Sequence, residues 1–404
     1  MNHHTQHDLI IVGAGLVGAS LALALKDSGL NILCLDKKPL DFHKALHTRP
    51  ISLSAASILI LKNLGVWSSL EALSTPIKTV HISTQANFGR LQFKADEYGL
   101  EALGAVVLFA DLEQALLQAA FKNPHTGFLK IDDISALHCT EKDAEITLLS
   151  EEAVKVLRAT LLVVADGVYS KARELLGIKV SQEGVKEVAL TAKIKLHKPH
   201  KHVAYERFTS EGTLALLPSV HSSEVNLVWT MSMSQWETIQ QKNDAELLKI
   251  VQTIFGYRLG KMQSLERSAN YPIVNLSAET QIHDSAVLIG NAAHSFYPLA
   301  AQGFNLALRD VAALSEKLLK AQDKKLNNKT LLESYQQERS QDQKAVQALT
   351  KSLHEAFALR IPCFNSLRAA TLLGIDLISP LKKNLAKRCL GFAGRVSKLA
   401  RDSL

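Results

Sequence analysis

The sequence predicts an α/β protein: a Rossmann-like nucleotide-binding domain, interrupted by an inserted β-sheet and followed by a helical C-terminal region. Three observations predict it. A glycine-rich turn, Gly13-x-Gly15-x-x-Gly18, joins an apolar run ending at Val12 to a helical run from Ala19 to Lys26. From Val188 to Met233 strand patterns recur, with Leu190, Ala192, Ile194 and Leu196 alternating with Thr191, Lys193 and Lys195; that period of two is the mark of a half-buried strand. After Leu331 the pattern turns helical. A chain of 404 residues is long for one simple domain and buries a sizeable core.

The uncharged stretch Leu9 to Leu25 is near the lower length limit for a membrane span. Its glycines argue instead for a strand, a tight turn and a buried helix. In that context the glycines give a tight turn, let backbone approach a pyrophosphate closely, and let helix pack on strand. The helix N-terminus adds free N–H groups and a positive dipole end. A second strand, Asn31 to Asp36, places an acid about 20 residues past the second glycine, where a ribose-hydroxyl acceptor belongs. These features predict dinucleotide binding at Gly13, Ala14, Gly15, Val17, Gly18 and Asp36. They do not separate FAD from NAD.

The run Lys78 to Ala95 also reads as strand-rich, and with Val188 to Met233 it forms one expected sheet roofing the cofactor. Glu206 and Arg207 on that sheet either touch substrate or form a surface ion pair. A strand ending at Asp166-Gly167 precedes a helix with Arg173; alone this is also common turn chemistry. A third strand-to-helix connection runs from Gly290 to Asp310, "GNAAHSFYPLAAQGFNLALRD". Its small residues Ala292, Ala293, Ala300 and Ala301 let a flat ring lie against backbone. A helix N-terminus aimed at the ring stabilises negative charge on it. A reduced flavin carries such charge and a nicotinamide does not, which favours FAD. His294 and Tyr297 sit in this loop; His294 is either a structural hydrogen-bonding residue or a proton carrier.

The triple "GAGLVG", "ADGVYSKAR" and "GNAAHSFYPLAAQGFNLALRD" resembles the FAD-dependent aromatic hydroxylases with a para-hydroxybenzoate-hydroxylase-like fold. Within them it is most similar to the ubiquinone-biosynthesis hydroxylases of the 2-polyprenyl-6-methoxyphenol hydroxylase branch. The resemblance extends to Thr48–Trp67, Ala204–Pro218 and Phe255–Lys261. It implies a Rossmann-like FAD-binding domain (1–77, 96–182 and 275–345), an inserted β-sheet substrate domain (78–95 and 183–274) and a helical C-terminal region (346–404). It implies that Gly13, Gly15 and Gly18 hold the pyrophosphate, Asp36 the adenosine ribose, and Arg49 the flavin side. Asp166 then lies near the pyrophosphate, Asn291 faces the ribitol and pyrophosphate, Gly303, Phe304 and Asn305 line the isoalloxazine, and Pro298 sits close to the reacting face; with His294 and Tyr297 of the same loop it makes the candidate catalytic set. The implied reaction is hydroxylation of a prenylated phenol by O2 through a flavin C4a-hydroperoxide. Departures from the family pattern are Asn291 for Asp, Ala301 and Ala307 for Gly, and Phe109 for Arg.

With no second GxGxxG, NAD(P)H or another reductant is expected to bind transiently. A net charge of +7 fits a solvated surface or an anionic membrane surface. Lys and Arg are not interleaved with aromatics, which argues against nucleic acid. Cys34, Cys139, Cys363 and Cys389 lack metal or disulfide spacing, so no metal is expected and a reducing cytosol fits. The expected place is the cytoplasm, with peripheral attachment at the inner membrane face as the extension of that reading. Residues 382–401 carry Lys and Arg but no acid, and read either as an interfacial helix or as a solvated one. Other ubiquinone-biosynthesis proteins are expected partners. The rival readings are another flavin oxidoreductase of this fold, such as a prenyl-lipid reductase, and a non-catalytic FAD-stabilised scaffold.

Overall fold

The computed structural model describes residues 6–40, 49–85, 89–149, 154–209, 212–297, 302–321, 325–358 and 373–401. The scaffold is a sheet in the order 282–283, 286–288, 154–164, 6–12, 32–36, 126–130. Gln6–Val12 lies between Val154–Val164 and Ile32–Asp36, parallel to both. Leu9, Ile10 and Ile11 are fully buried. A central parallel strand is covered on both faces, so an apolar run rather than an alternating one marks it. The helices Leu16–Ala24 and Gln302–Leu318 pack on one face of this sheet. A β-meander, Asp133–Cys139 and Ala144–Leu149, extends Val154–Val164 on the other side, over a second apolar cluster.

The second sheet is mostly antiparallel, in the order 294–295, 262–278, 180–196, 224–232, 212–218, 203–209, 79–84, 90–94. Its one parallel pairing joins Val203–Thr209 to Thr79–Thr84. The strand-rich reading of 78–95 therefore becomes the edge hairpin of this sheet. The strands Val180–Leu196 and Met262–Ala278 pair along most of their length and carry the chain between scaffold and roof. The helix Asp244–Phe255, fixed by a capping box of Asn243 and Glu246, buries its apolar stripe on the outer face. The inner face turns toward the scaffold.

Lys329–Ala358 is a long helix, and Ser379–Cys389 a shorter one with Pro380 in its first turn, where its missing N–H costs nothing. Ala56 N–H bonds Leu390 O at 3.1 Å, which ties the end of the shorter helix to the scaffold. Among the described residues no helix is long and apolar enough to cross a membrane.

Candidate active site

The glycine turn closes through backbone contacts. Gly13 N–H bonds Leu35 O, and Ala165 N–H bonds Val12 O, each at 2.7 Å. Gly13 has φ +99°, and a Cβ there would lie 2.5 Å from Ala165 O. A Cβ on Gly18 would lie 1.9 Å from Gly13 O. Neither position admits a side chain. At Gly15 a Cβ would meet nothing within 4 Å, because that residue faces a cavity. The helix from Leu16 has no side-chain cap, which leaves its first N–H groups toward that space. Asp36 shapes the turn as well as facing the cavity: its Oδ2 accepts from Ala14 N–H at 2.7 Å and its Oδ1 from Lys38 N–H at 2.9 Å.

Asp166 closes the neighbouring strand. Its Oδ2 accepts from Ala172 N–H at 3.2 Å, while its Oδ1 is buried with no hydrogen-bond partner. Burial pushes this carboxyl up. Arg173 follows on the next helix and is itself buried. It donates to Ala292 O at 2.9 Å and Val168 O at 3.1 Å, joining the Asp-Gly loop to the loop after Gly290.

That third loop is anchored from beneath by one carboxylate. Asp310, fully buried, accepts from Gly290 N–H at 3.1 Å and pairs with His294 Nε2 at 2.5 Å through Oδ2. Its Oδ1 accepts from Arg339 Nε at 2.7 Å and Gln343 Nε2 at 3.1 Å. Burial alone would raise the Asp310 carboxyl. The charges of His294 and Arg339 outweigh burial and hold it well below the usual carboxylate range. The loop is thus fixed at its first residue, at its fifth, and to the long helix 329–358.

His294 and Tyr297 turn away from the cavity and line none of it. The His294 ring is held by Asp310 in the core. Tyr297 O–H lies 2.6 Å from Thr230 Oγ1, and burial drives its pKa up. It ties the loop to the roof sheet. Among the described residues of this loop, Asn291, Ser295 and Phe296 face the cavity. Pro298 and Ala301 lie outside the described residues.

At the start of the helix Gln302–Leu318, Gly303 and Phe304 line the cavity, and a Cβ on Gly303 would meet nothing within 4 Å. Asn305 lines it too, but its side chain is committed elsewhere. Its Oδ1 accepts from Ser54 N–H at 2.8 Å and its Nδ2 donates to Ser52 O at 2.9 Å, so it clamps the helix to the strand Pro50–Ser54. Arg49 stands at the start of that strand with its guanidinium 4.2 Å above the Tyr271 ring. This cation–π contact joins the scaffold to the roof across the cavity. Phe109 lines the cavity where the family pattern has Arg, and its N–H bonds Arg49 O at 2.8 Å. Ala307 is buried beneath Gly290.

The cavity has a volume of about 1110 Å³. Its floor is the three scaffold connections. Its roof is largely apolar: Val80, Ile82, Phe93, Leu217, Val228 and Ile273 face inward. Glu206, buried, is the acid of that roof, and Arg207 points to the opposite side of the sheet, where it donates to Ser83 Oγ at 3.3 Å. Ala386 and Cys389 of the helix Ser379–Cys389, with Leu390 just beyond it, close one side.

The floor fits a dinucleotide on three observations. Gly15 and Gly303 present open backbone where side chains would intrude. Asp166 Oδ1 is a buried acceptor left unmatched. Helix starts at Leu16 and Gln302 border the same space. Sequence reasoning missed Tyr271 and the anchoring role of Asp310. Tyr271 carries no local motif. Asp310 was visible as an acid beside Arg309, between the apolar stretches Leu306–Leu308 and Val311–Leu314, which is a signal for a buried, paired charge.

A family described as "FAD binding domain" matches residues 6–350. The chain is 29% identical over 390 residues to the 3-demethoxyubiquinol 3-hydroxylase of Escherichia coli (strain K12), covering 95% of this chain and 98% of that protein. It is 28% identical to the ubiquinone hydroxylase UbiL of Rhodospirillum rubrum, covering 95% and 89%. Among solved structures, p-nitrophenol 4-monooxygenase PnpA from Pseudomonas putida superposes with a TM-score of 0.76 over 96% of this chain and 99% of that one, at 14% identity. That last likeness is one of fold.

Proposed function

The chain belongs to the FAD binding domain family and is an FAD-dependent monooxygenase; from that premise we propose that it hydroxylates the ring of a prenylated phenol in ubiquinone biosynthesis. The observation that carries this reading is one continuous cavity with a backbone-lined polar floor and an apolar roof. One space holds both a dinucleotide and an apolar aromatic. Bound FAD supplies electron transfer and the activation of O2; NAD(P)H or another reductant reaches it transiently.

The chain's own residues bind, orient and dry the site. Gly13, Ala14, Gly15, Val17 and Gly18 hold the pyrophosphate, Asp36 the ribose, and Asp166 and Asn291 the ribitol and pyrophosphate region. Gly303, Phe304 and Asn305 would border the ring, and Arg49, stacked on Tyr271, would serve the flavin side of the cofactor. The roof excludes water, which strengthens every polar contact beneath it. Glu206 faces the cavity and accepts a hydrogen bond from the phenol hydroxyl, which pushes electron density into the ring. His294 acts only through Asp310, as a positioning residue.

Product analysis under ¹⁸O2 tests the reading. We expect one labelled oxygen on the ring of a prenylated phenol. A product formed equally well without oxygen would assign a reductase, and a flavin-loaded protein that makes no product would assign a scaffold.

A further inference from the structure

The basic C-terminal stretch divides into two parts with different surroundings. The distal part is docked on its own protein. Arg395 pairs with Glu338 at 2.6 Å and Glu316 at 3.1 Å, Arg401 donates to Val396 O, and Asn63 holds the carbonyls of Leu399 and Arg401. The proximal part is not covered. Leu377 is 80% exposed, Leu381 51%, Ile378 49% and Leu373 40%. Leaving these four in water costs free energy, since each exposed apolar side chain forgoes its transfer out of water.

Exposed cations follow immediately. Lys383, Lys387 and Arg388 lie on the outer side of the helix Ser379–Cys389, and none forms an ion pair among the described residues. Lys382 is different: it reaches back to Glu97 at 2.9 Å and Asp376 at 3.1 Å, which holds the segment against the protein. Gln92 N–H donates to Asp376 at 3.3 Å, so the segment runs along the edge strand Arg90–Lys94 of the roof. The outer side thus presents apolar residues at the start and exposed cations behind them. The inner side of the same helix, Ala386 and Cys389 with Leu390 just beyond, walls the cavity.

We propose that residues 373–388 dock the enzyme on an anionic lipid surface. Leu373, Leu377, Ile378 and Leu381 enter the boundary between headgroups and acyl chains, and Lys383, Lys387 and Arg388 lie on the headgroups. Apolar burial joined to positive charge is the combination that an anionic bilayer rewards and a neutral one does not. The docking stands on this surface alone. Its consequence for the substrate rests on the proposed function: the cavity wall and the lipid contact are two sides of one helix, so a phenol with a lipid tail enters from the bilayer.

The test uses full-length, FAD-loaded protein floated with vesicles of phosphatidylglycerol and phosphatidylethanolamine, or of phosphatidylcholine alone. We expect binding to the anionic vesicles at low salt, weakening steeply as salt rises. The triple variant Leu377→Asp, Ile378→Asp, Leu381→Asp should lower it at least tenfold. Lys383→Glu, Lys387→Glu, Arg388→Glu together should lower it roughly 100-fold, at about fivefold for each basic residue. Flavin content and circular dichroism report folding of both, and the salt series on the unaltered protein needs no variant. No binding at low salt, equal binding to phosphatidylcholine, or undiminished binding by the aspartate variant would each overturn the proposal and leave a protein partner as the occupant of this face. The two readings fail separately. Vesicle binding without ¹⁸O transfer would sink the function and spare the docking. Transfer to a short-chain soluble phenol without vesicle binding would do the reverse.

Discussion

Floor and roof of the cavity are built on different principles. The floor is backbone. Gly13 and Gly18 admit no Cβ, and Asp36 and Asp310 direct their carboxylates at main-chain N–H groups. The roof is side chain. Its lining residues come from separate strands of one sheet, and few are polar. The contrast teaches where selectivity resides. A cofactor shared by a whole family is held by geometry that any sequence with the right glycines reproduces. A substrate is chosen by shape and apolar area, which single substitutions reset. Changes in the floor should therefore act on flavin and stability, and changes in the roof on substrate.

The largest expected effect is beneath the floor. Asp310→Asn removes the buried carboxylate that His294 and Arg339 share and leaves Arg339 only Asp342, at 2.8 Å, a loss of about 3–5 kcal/mol. Urea unfolding measures it. The depressed Asp310 pKa sets the sign with pH. Its contribution is present above the unfolded value of about 3.9 and is lost as pH falls below that, through the folded value. The variant should lack this acid limb. Equal stability of the two proteins at neutral pH would mean that the anchor is dispensable.

Gly18→Ala comes next. The clash with Gly13 O is against backbone, so the turn must open, at about 3 kcal/mol. We expect protein without bound flavin, read from its absorbance, with a lowered melting temperature. Asp36→Ala removes both the ribose acceptor and the Ala14 N–H partner. FAD affinity should fall by roughly 1.5–3 kcal/mol, measured by titration. An unchanged affinity would move the ribose contact elsewhere.

Asn291→Leu should cost roughly 1–3 kcal/mol of FAD binding, since a buried ribitol hydroxyl loses its partner. Asn291→Asp keeps an acceptor oxygen and should stay within about tenfold of the parent. If the leucine variant binds FAD like the parent, position 291 is no cofactor contact. The smallest effect, and the sharpest test of the contrast, is in the roof. Ala215→Phe fills part of the cavity from the sheet. KM for the phenol should rise about tenfold, or about 1.4 kcal/mol, with FAD affinity within twofold. A loss of flavin there would break the distinction between floor and roof.

The floor could be read from the chain because its signals are local. A strand, three glycines, a helix and a following acid lie within one short stretch, and backbone sterics fix what each glycine must do. The alternation at Leu190 to Leu196 likewise announced a half-buried strand, and the structure places it in the roof sheet. Other features needed the fold. Asn305 belongs to the loop that lines the cavity, yet its amide is spent on Ser52 and Ser54, some 250 positions away. His294 sits in the expected loop, and its ring is paired with Asp310 in the core, 16 positions further along the chain.

The sequence by itself determined the α/β class, the nucleotide turn and the presence of a separate sheet. Each rests on periodicity or on glycine spacing, which short-range sterics translate into structure. Only the tertiary structure decided which side chains meet. Arg49 over Tyr271, Arg173 on Ala292, and the division of the basic tail into a docked half and an exposed half all join residues far apart in the chain. Such contacts depend on how sheets and helices stack. A one-residue change of face reverses them without altering any local pattern.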